Sequence, residues 1–275
     1  MALRSLAALL VSVIWLCGPA LAEPEPEAPK GPFSDWAVGI LAADWRDGSG
    51  APIAAFDNAA RDLASAFTTI GFRPENIASL SLRPMRFGGD SLMSEDVFAL
   101  FESQAKSATA GCLFYFTSHG MREGLLLGNE GFLSPARLNG LIGEWCGERP
   151  TVVVVSACHS GVFVPALSAP NRMIMTAARP DRVSFGCSAD ARYPYFDGCI
   201  LESLPAAEDF VHLASLAGRC VAGKEWAQRL SPASEPMTRV GADVEDLFVF
   251  MNFERAVVPE EAATGAGAGM ETAAE

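Results

Sequence analysis

A histidine and a cysteine each follow an apolar run of the sequence. His119 lies just after residues 112–117, and Cys158 lies just after residues 151–155. An unperturbed thiol has a pKa of about 8.5 and is mostly protonated at neutral pH, and an adjacent imidazole is a common means of activating it. The pair is therefore a candidate for nucleophilic catalysis, with Cys158 as the nucleophile and His119 as its general base.

Glycines accompany both residues, within Ser118-His119-Gly120 and Ser156-Ala157-Cys158-His159-Ser160-Gly161. A missing Cβ lets a substrate backbone approach and permits positive φ in a turn. We expect the backbone N–H groups of Gly120 and Cys158 to form an oxyanion hole. Loss of one donor from such a site typically slows catalysis about hundredfold or more.

The two remaining histidines are weaker candidates for the base. His159 is adjacent to Cys158, and neighbouring side chains of an extended segment point apart, so a role in the loop is favoured. His212 lies in a predicted helix, and we interpret it as structural.

Apolar periodicity alternates between strand and helix along the chain, which predicts an α/β fold with a mostly parallel sheet flanked by helices. The valine run at 151–155 suits a strand buried on both faces. At the carboxyl edge of such a sheet the two candidates would face one crevice, if a right-handed crossover makes their strands neighbours. Predicted strands are 36–43, 77–82, 111–117, 151–155 and 172–177, and predicted helices are 57–70, 94–108, 135–145, 196–204 and 210–230.

The first residues have the pattern of a secretory signal peptide. Arg4 precedes an apolar stretch at 6–16, and Ala20-Leu21-Ala22 fits an A-x-A cleavage site. The prediction is a signal peptide at 1–22, a flexible mature N-terminus at 23–35, one catalytic domain at 36–254 and a disordered tail at 255–275. We expect a periplasmic or secreted protein without stable membrane insertion after cleavage, because the apolar stretch is too short to span a bilayer.

The formal charge of −13 argues against nucleic acid or an anionic membrane surface as the main partner. A peptide or protein substrate is expected instead. Removal of 1–22 leaves six of the seven cysteines, and an exported compartment permits disulfides. We expect Cys158 to stay reduced, Cys187 and Cys199 to form a bridge, and Cys112 and Cys146 to be buried small hydrophobes. No C-x-x-C spacing indicates a zinc or redox site.

The motifs around His119 and Cys158 resemble those of the legumain-type cysteine peptidases, family C13, in the caspase-like clan. Thr176-Ala177-Ala178-Arg179-Pro180, Ser184-Phe185-Gly186-Cys187 and Ser234-Glu235-Pro236 extend the likeness. The resemblance implies a caspase-like three-layer sandwich, a thioester acyl-enzyme on Cys158 with His119 as base, and neither metal nor organic cofactor.

The same resemblance places Ser184 and Asp197 in the pocket for the residue before the scissile bond, although Asp197 could equally cap a helix near Gly198. A preference for acidic residues would need a basic pocket, for which the candidates are Arg46, Arg122, Arg182 and Arg192. Two departures stand out. His159 replaces an acidic residue, and the Asn-x-Arg segment that orients the base has no clear copy, its local candidates being Asp44, Arg46, Asp57 and Asn58.

The leading hypothesis is an exported cysteine endopeptidase. A transamidase or peptide ligase would use the same acyl-enzyme with an amine as acceptor. A non-catalytic scaffold that retains the pocket is the third alternative, favoured by His159 and by the missing orienting segment. An α/β-hydrolase is disfavoured because the sequence contains no G-x-S-x-G motif.

Overall fold

The computed structural model describes residues 31–84 and 92–254. The predicted signal peptide and the predicted tail lie outside these residues, as does most of the predicted flexible N-terminus. Nine strands are described: β1 Trp36–Ala42, β2 Ile77–Ser81, β3 Gly111–Thr117, β4 Gly120–Met121, β5 Gly124–Leu126, β6 Phe132–Leu133, β7 Thr151–Ser156, β8 Arg172–Thr176 and β9 Met237–Val240.

The described part of the chain also contains seven α-helices. They are α1 Ala55–Thr68, α2 Ser94–Ser107, α3 Pro135–Cys146, α4 Phe163–Leu167, α5 Tyr195–Ser203, α6 Phe210–Ala227 and α7 Glu245–Phe250. Local sequence sets several of their ends. Ser134 accepts a hydrogen bond from the Arg137 amide before Pro135 begins α3, and Asp209 accepts one from the His212 amide at the start of α6.

Six strands form the central sheet in the order β2-β1-β3-β7-β8-β9. The first five are parallel, and β9 runs antiparallel to β8 at the edge. The remaining strands, β4, β5 and β6, form a small antiparallel sheet between β3 and α3. The prediction of an α/β fold with a mostly parallel sheet is therefore confirmed.

Side chains that alternate along β1 enter two separate cores, because successive residues of a strand point to opposite faces. Trp36, Val38 and Ile40 pack with α1, α5, α6 and α7 on one face. Ala37 and Leu41 pack with α2, α3 and α4 on the other. The result is the three-layer sandwich that the sequence predicts.

Among the described residues, no helix is both long and apolar enough to cross a membrane.

The pairing of β3 with β7 positions the candidate residues. Their register aligns Thr117 with Ser156, the last residues of the two strands. His119 and Cys158 each follow two residues later, so the chain delivers both to the same edge of the sheet.

Two disulfides correct the predictions for the cysteines. Cys112 is bonded to Cys146, with Cα atoms 6.3 Å apart, so these residues are buried but are not free hydrophobes. Cys199 is bonded to Cys220, which makes the predicted Cys187–Cys199 bridge wrong. Cys199 lies on α5 and Cys220 on α6, and the packing of these helices brings the two together, whereas Cys187 stays reduced.

The Cys112–Cys146 bridge links the start of β3 to the end of α3 across 34 residues of sequence. Closing a loop of this length restricts the unfolded chain, so we expect Cys112→Ala/Cys146→Ala to lower the free energy of unfolding by about 2–4 kcal/mol. Urea unfolding of the oxidised protein measures this loss, with Cys187→Ala as a control that removes a cysteine without removing a bridge. Equal stability of the double variant and the parent protein would contradict the assignment.

Candidate active site

The backbone around His119 is fixed from two directions. The Ser118 amide donates a hydrogen bond to the Ser156 carbonyl at 3.1 Å, which extends the β3–β7 pairing to the residue before His119. The Ser118 hydroxyl donates to the Leu126 carbonyl at 2.7 Å and ties the same residue to β5. His119 therefore leaves the sheet at a well-defined position.

Gly120 lies so close to the nucleophile that no other residue would fit without a shift. A Cβ on Gly120 would come within 2.3 Å of the Cys158 carbonyl oxygen and 2.8 Å of the Ala157 Cβ. The glycine thus permits close approach of two backbone segments. It brings the proposed oxyanion donors, the amides of Gly120 and Cys158, into neighbouring segments.

His119 is oriented by a backbone carbonyl. Its Nε2 lies 2.7 Å from the Arg46 oxygen, and the edge of its ring meets Phe56 with centroids 5.2 Å apart. A carbonyl oxygen only accepts hydrogen bonds, so Nε2 carries the proton and Nδ1 of the neutral ring is unprotonated. Nδ1 is consequently the nitrogen available to act as a base.

A buried aspartate holds the Arg46 carbonyl in place. One carboxylate oxygen of Asp44 accepts the amides of Trp45 at 2.6 Å and Arg46 at 3.1 Å. The Arg46 guanidinium closes the turn by donating from Nε to Oδ1 at 2.9 Å and from Nη2 to Oδ2 at 3.0 Å. Asp44-Trp45-Arg46 is therefore the segment that orients His119, and it contains two of the four candidates that the sequence offers for this role.

The other two candidates for this role lie elsewhere. Asp57 accepts a hydrogen bond from the Ser81 hydroxyl at 2.6 Å, and the Asn58 amide donates to the Arg192 carbonyl at 3.2 Å. Neither contacts His119.

The Cys158 thiol is covered by Ser184. Its Sγ donates to the Ser184 carbonyl at 3.4 Å and accepts from the Ser184 amide at 3.3 Å, and the Ser184 hydroxyl lies 3.8 Å away. No hydrogen bond joins Cys158 to His119 among the contacts of these two described residues. Catalytic hydrogen bonds often form only when substrate is bound, so this geometry is compatible with a dyad at rest.

The loop that carries Ser184 lies along the nucleophile turn and contacts it through alternate residues. His159 has φ of 58°, its amide donates to the Arg182 carbonyl at 2.8 Å, and its Nδ1 donates to the Pro180 carbonyl at 3.0 Å. Ser160 accepts the Ala178 amide at 3.1 Å. His159 thus attaches the loop at 178–184 to the turn after β7, in agreement with the loop role that the sequence favours.

Asp197 lies beneath the strands rather than in an open pocket. It is fully buried, and it accepts hydrogen bonds from the Tyr115 hydroxyl at 2.5 Å and the Thr117 hydroxyl at 2.8 Å. Burial raises its pKa to about 6 although these hydrogen bonds oppose the rise. It also lies within the first turn of α5, whose N-cap is Pro194, so the alternative that it caps the helix is wrong.

Cys187 and Tyr115 share this buried environment. Burial, and secondarily the nearby Cys158 and Asp197, raise the pKa of the Cys187 thiol. Burial and the charge of Asp197 likewise raise the pKa of Tyr115. The region below the thiol therefore disfavours negative charge.

The four candidate arginines do not converge on one pocket. Arg46 pairs with Asp44, Arg182 with Asp181, and Arg192 with Asp62. Arg122 is exposed beside Cys158. Within the described residues, these four arginines therefore do not form the basic pocket that an acidic residue before the scissile bond would require.

Two open cavities adjoin the pair. One of about 510 Å³ is lined by His119 and Arg46, and one of about 460 Å³ is lined by Cys158 and His159. Gly120 and Met121 border both.

Metal-ligating groups come together at one place in the described part of the chain. Cys199, Glu202 and Cys220 have their ligand atoms within 4.8 Å of one another. Both cysteines are in a disulfide, so they offer no thiolate to a metal.

Replacing Asp197 by Asn tests whether the pKa of the buried carboxyl is raised. A pKa raised from 3.8 to about 6 means that the folded protein holds a proton more tightly than the unfolded chain. The resulting stabilisation is complete below about pH 4 and is lost as pH rises through 6. We expect the free energy of unfolding of the parent to fall by roughly 2 kcal/mol more than that of Asp197→Asn between pH 4 and 7. Denaturant unfolding at several pH values measures the difference, and parallel pH profiles would contradict the raised pKa.

One family model of known proteins matches the part of the chain that contains this site. Residues 105–205, which include His119 and Cys158, match the family model described as the Peptidase C13 family. The match confirms the resemblance drawn from the motifs. A comparison with curated proteins finds no match.

The fold has a counterpart among solved structures. The crystal structure of caspase-1 from Spodoptera frugiperda superposes with a TM-score of 0.56 at 16% sequence identity, covering 77% of this chain and 88% of that chain. At this identity the likeness concerns the fold alone, and it confirms the caspase-like sandwich.

Proposed function

We propose that the chain is an exported cysteine endopeptidase in which Cys158 is the nucleophile and His119 the base, a proposal supported by the match of residues 105–205 to the Peptidase C13 family. One observation carries the proposal. The β3–β7 register brings the two residues to the same edge of the sheet, and the Arg46 carbonyl leaves His119 Nδ1 free to take a proton.

The reaction follows from these positions. His119 Nδ1 takes the thiol proton as Cys158 Sγ attacks the carbonyl carbon of a peptide bond, and the oxyanion is bound by the amides of Gly120 and Cys158. The carbon–nitrogen bond then breaks, His119 gives its proton to the departing amine, and a thioester remains on Cys158. Water attacks the thioester, His119 accepts a proton from this water, and the thiol leaves and is reprotonated.

The backbone of Cys158 suits its part in the oxyanion hole. Its amide makes no hydrogen bond to any residue that the structure describes, so it is available to a substrate oxygen. The chemistry requires no metal or organic cofactor, because a thiolate attacks without one.

Ser184 is the best-placed residue to bind the substrate. Its amide and carbonyl both engage Sγ at rest, so these contacts must give way before the sulfur attacks. The released amide and carbonyl would then face the peptide backbone. Arg46 and Asp197 act differently in this proposal: Arg46 orients His119 through its carbonyl, and Asp197 supports β3 from below.

Removal of either dyad residue tests the proposal. We expect Cys158→Ala and His119→Ala each to lower kcat/KM by about a thousandfold or more, because they remove the bond-forming atom and its base. A fluorogenic peptide library that varies the residue before the scissile bond supplies the substrate. His212→Ala is the matched control, because His212 lies on α6 away from the site.

The outcomes of this assay separate the alternatives. Full activity of a correctly folded Cys158→Ala protein would exclude Cys158 as the nucleophile. A folded parent protein that cleaves no member of the library would contradict the peptidase proposal and favour a scaffold.

Export is the second part of the proposal, and it rests on the sequence pattern of residues 1–22. We expect the mature protein recovered from the periplasm or medium to begin at Glu23, because cleavage follows Ala22. N-terminal sequencing measures this directly. A protein that keeps Met1 and remains with the cytoplasmic fraction would contradict export.

A further inference from the structure

The cavity of about 510 Å³ beside His119 has no part in the chemistry described so far. It lies between the turn after β1 and the small sheet of β4, β5 and β6. Its walls are Asp44, Arg46, Asp47, Gly48, Gly50, His119, Gly120, Met121, Leu126, Gly128 and Phe132. Cys158 lines the other cavity instead, and Gly120 and Met121 separate the two.

Under the proposed function, the order of proton transfers indicates which part of the substrate lies in this cavity. Cys158 keeps the acyl half of the peptide after the first step. His119 must reach the nitrogen of the other half to protonate it as it leaves. The leaving segment therefore lies on the His119 side, where this cavity opens.

Three apolar side chains form the outer wall of the cavity. Met121 is 56% exposed and Phe132 is 40% exposed, and Leu126 is partly exposed beside them. They come from three different strands of the small sheet, β4, β6 and β5. Burial of side chains of this size against a ligand stabilises the complex, because it removes apolar surface from water.

The charged groups of the same cavity are already engaged. The Arg46 guanidinium donates to both carboxylate oxygens of Asp44, to Asn129 Oδ1 at 2.8 Å and to the Gly128 carbonyl at 2.7 Å. Four of its five N–H bonds are thereby used.

The Asp47 carboxylate is engaged in a similar way. It accepts the amide of Ser49 at 2.8 Å, the hydroxyl of Ser49 at 2.6 Å and the amide of Ala51 at 3.0 Å. These bonds hold its own turn. The cavity therefore presents apolar surface together with an arginine paired to Asp44 and a carboxylate whose Oδ1 is bound by its own turn.

We propose that this cavity binds the side chain of the residue that follows the scissile bond, and that it selects a large apolar side chain there. Met121, Leu126 and Phe132 are then the specificity-determining residues for the leaving segment. The substrate class is a peptide or protein chain with a leucine-sized or phenylalanine-sized residue directly after the cleaved bond.

The test uses peptides that differ only in the residue after the scissile bond, with Phe, Leu, Gly or Asp at that position. Before the bond they carry the residue that the library identifies as preferred. We expect the parent protein to cleave the Phe and Leu peptides with kcat/KM about tenfold or more above the Gly and Asp peptides, as for side chains that fill an apolar pocket.

Replacement of Phe132 tests whether the preference for Phe and Leu after the scissile bond depends on this cavity. We expect Phe132→Ala to reduce the Phe-to-Gly ratio of kcat/KM to about threefold or less, and Met121→Ala to reduce it in the same direction. Phe250→Ala is the matched control, because Phe250 is a 79% exposed phenylalanine on α7, outside the cavity. The control is expected to keep the ratio of the parent protein.

The outcomes distinguish this inference from the proposed function. Cleavage of all four peptides at similar rates, abolished in Cys158→Ala, would overturn the apolar subsite and leave the peptidase intact. A preference for the Asp peptide would overturn it as well, because Arg46 would then have left Asp44 for the substrate. Cleavage that persists in Cys158→Ala would defeat the proposed function itself.

Discussion

The parallel pairing of β3 with β7 is the constraint on which the rest of the site depends. Both strands are fully buried, so a slip of one residue would move every side chain to the opposite core. Asp197 also attaches β3 to α5, because it accepts hydrogen bonds from Tyr115 and Thr117 of that strand. Since Thr117 faces Ser156, equal two-residue extensions place His119 and Cys158 at one edge. The positions of His119, the Cys158 thiol and the amides of Gly120 and Cys158 all depend on this alignment.

Backbone carbonyls orient both histidines of the site. The Arg46 oxygen holds His119, whereas the oxygens of Pro180 and Arg182 hold His159. A carbonyl cannot be protonated at ordinary pH, so each ring keeps a fixed nitrogen for its proton. The two histidines therefore differ in what they leave free: His119 keeps Nδ1 without a proton, whereas His159 uses its Nδ1 to attach the loop at 178–184 to the turn after β7.

The sequence predicts the sheet, its flanking helices and the His119–Cys158 pair because these depend on local patterns, namely apolar period and residues that follow strand ends. The sequence does not predict features that depend on long-range packing. Cys146 lies close enough to bond Cys112 only when α3 is packed against the sheet, and Cys199 lies close enough to bond Cys220 only when α5 is packed against α6. The sequence names Asp44 only as one of four candidates for the orienting segment, because the hydrogen bonds that bend its turn depend on the folded chain. Asp197 was expected in a pocket, because burial beneath β3 cannot be inferred from one residue.

The most direct test of the account is the rate at which iodoacetamide alkylates Cys158 at neutral pH, compared between the parent protein and His119→Ala by peptide mass spectrometry. A short unstructured peptide with one cysteine, added to both reactions, serves as the reference for the reagent. If His119 activates the thiol, the variant alkylates Cys158 at least about tenfold more slowly while labelling of the reference peptide is unchanged. Equal rates at Cys158 in the two proteins would show that His119 does not serve it, and would contradict the dyad.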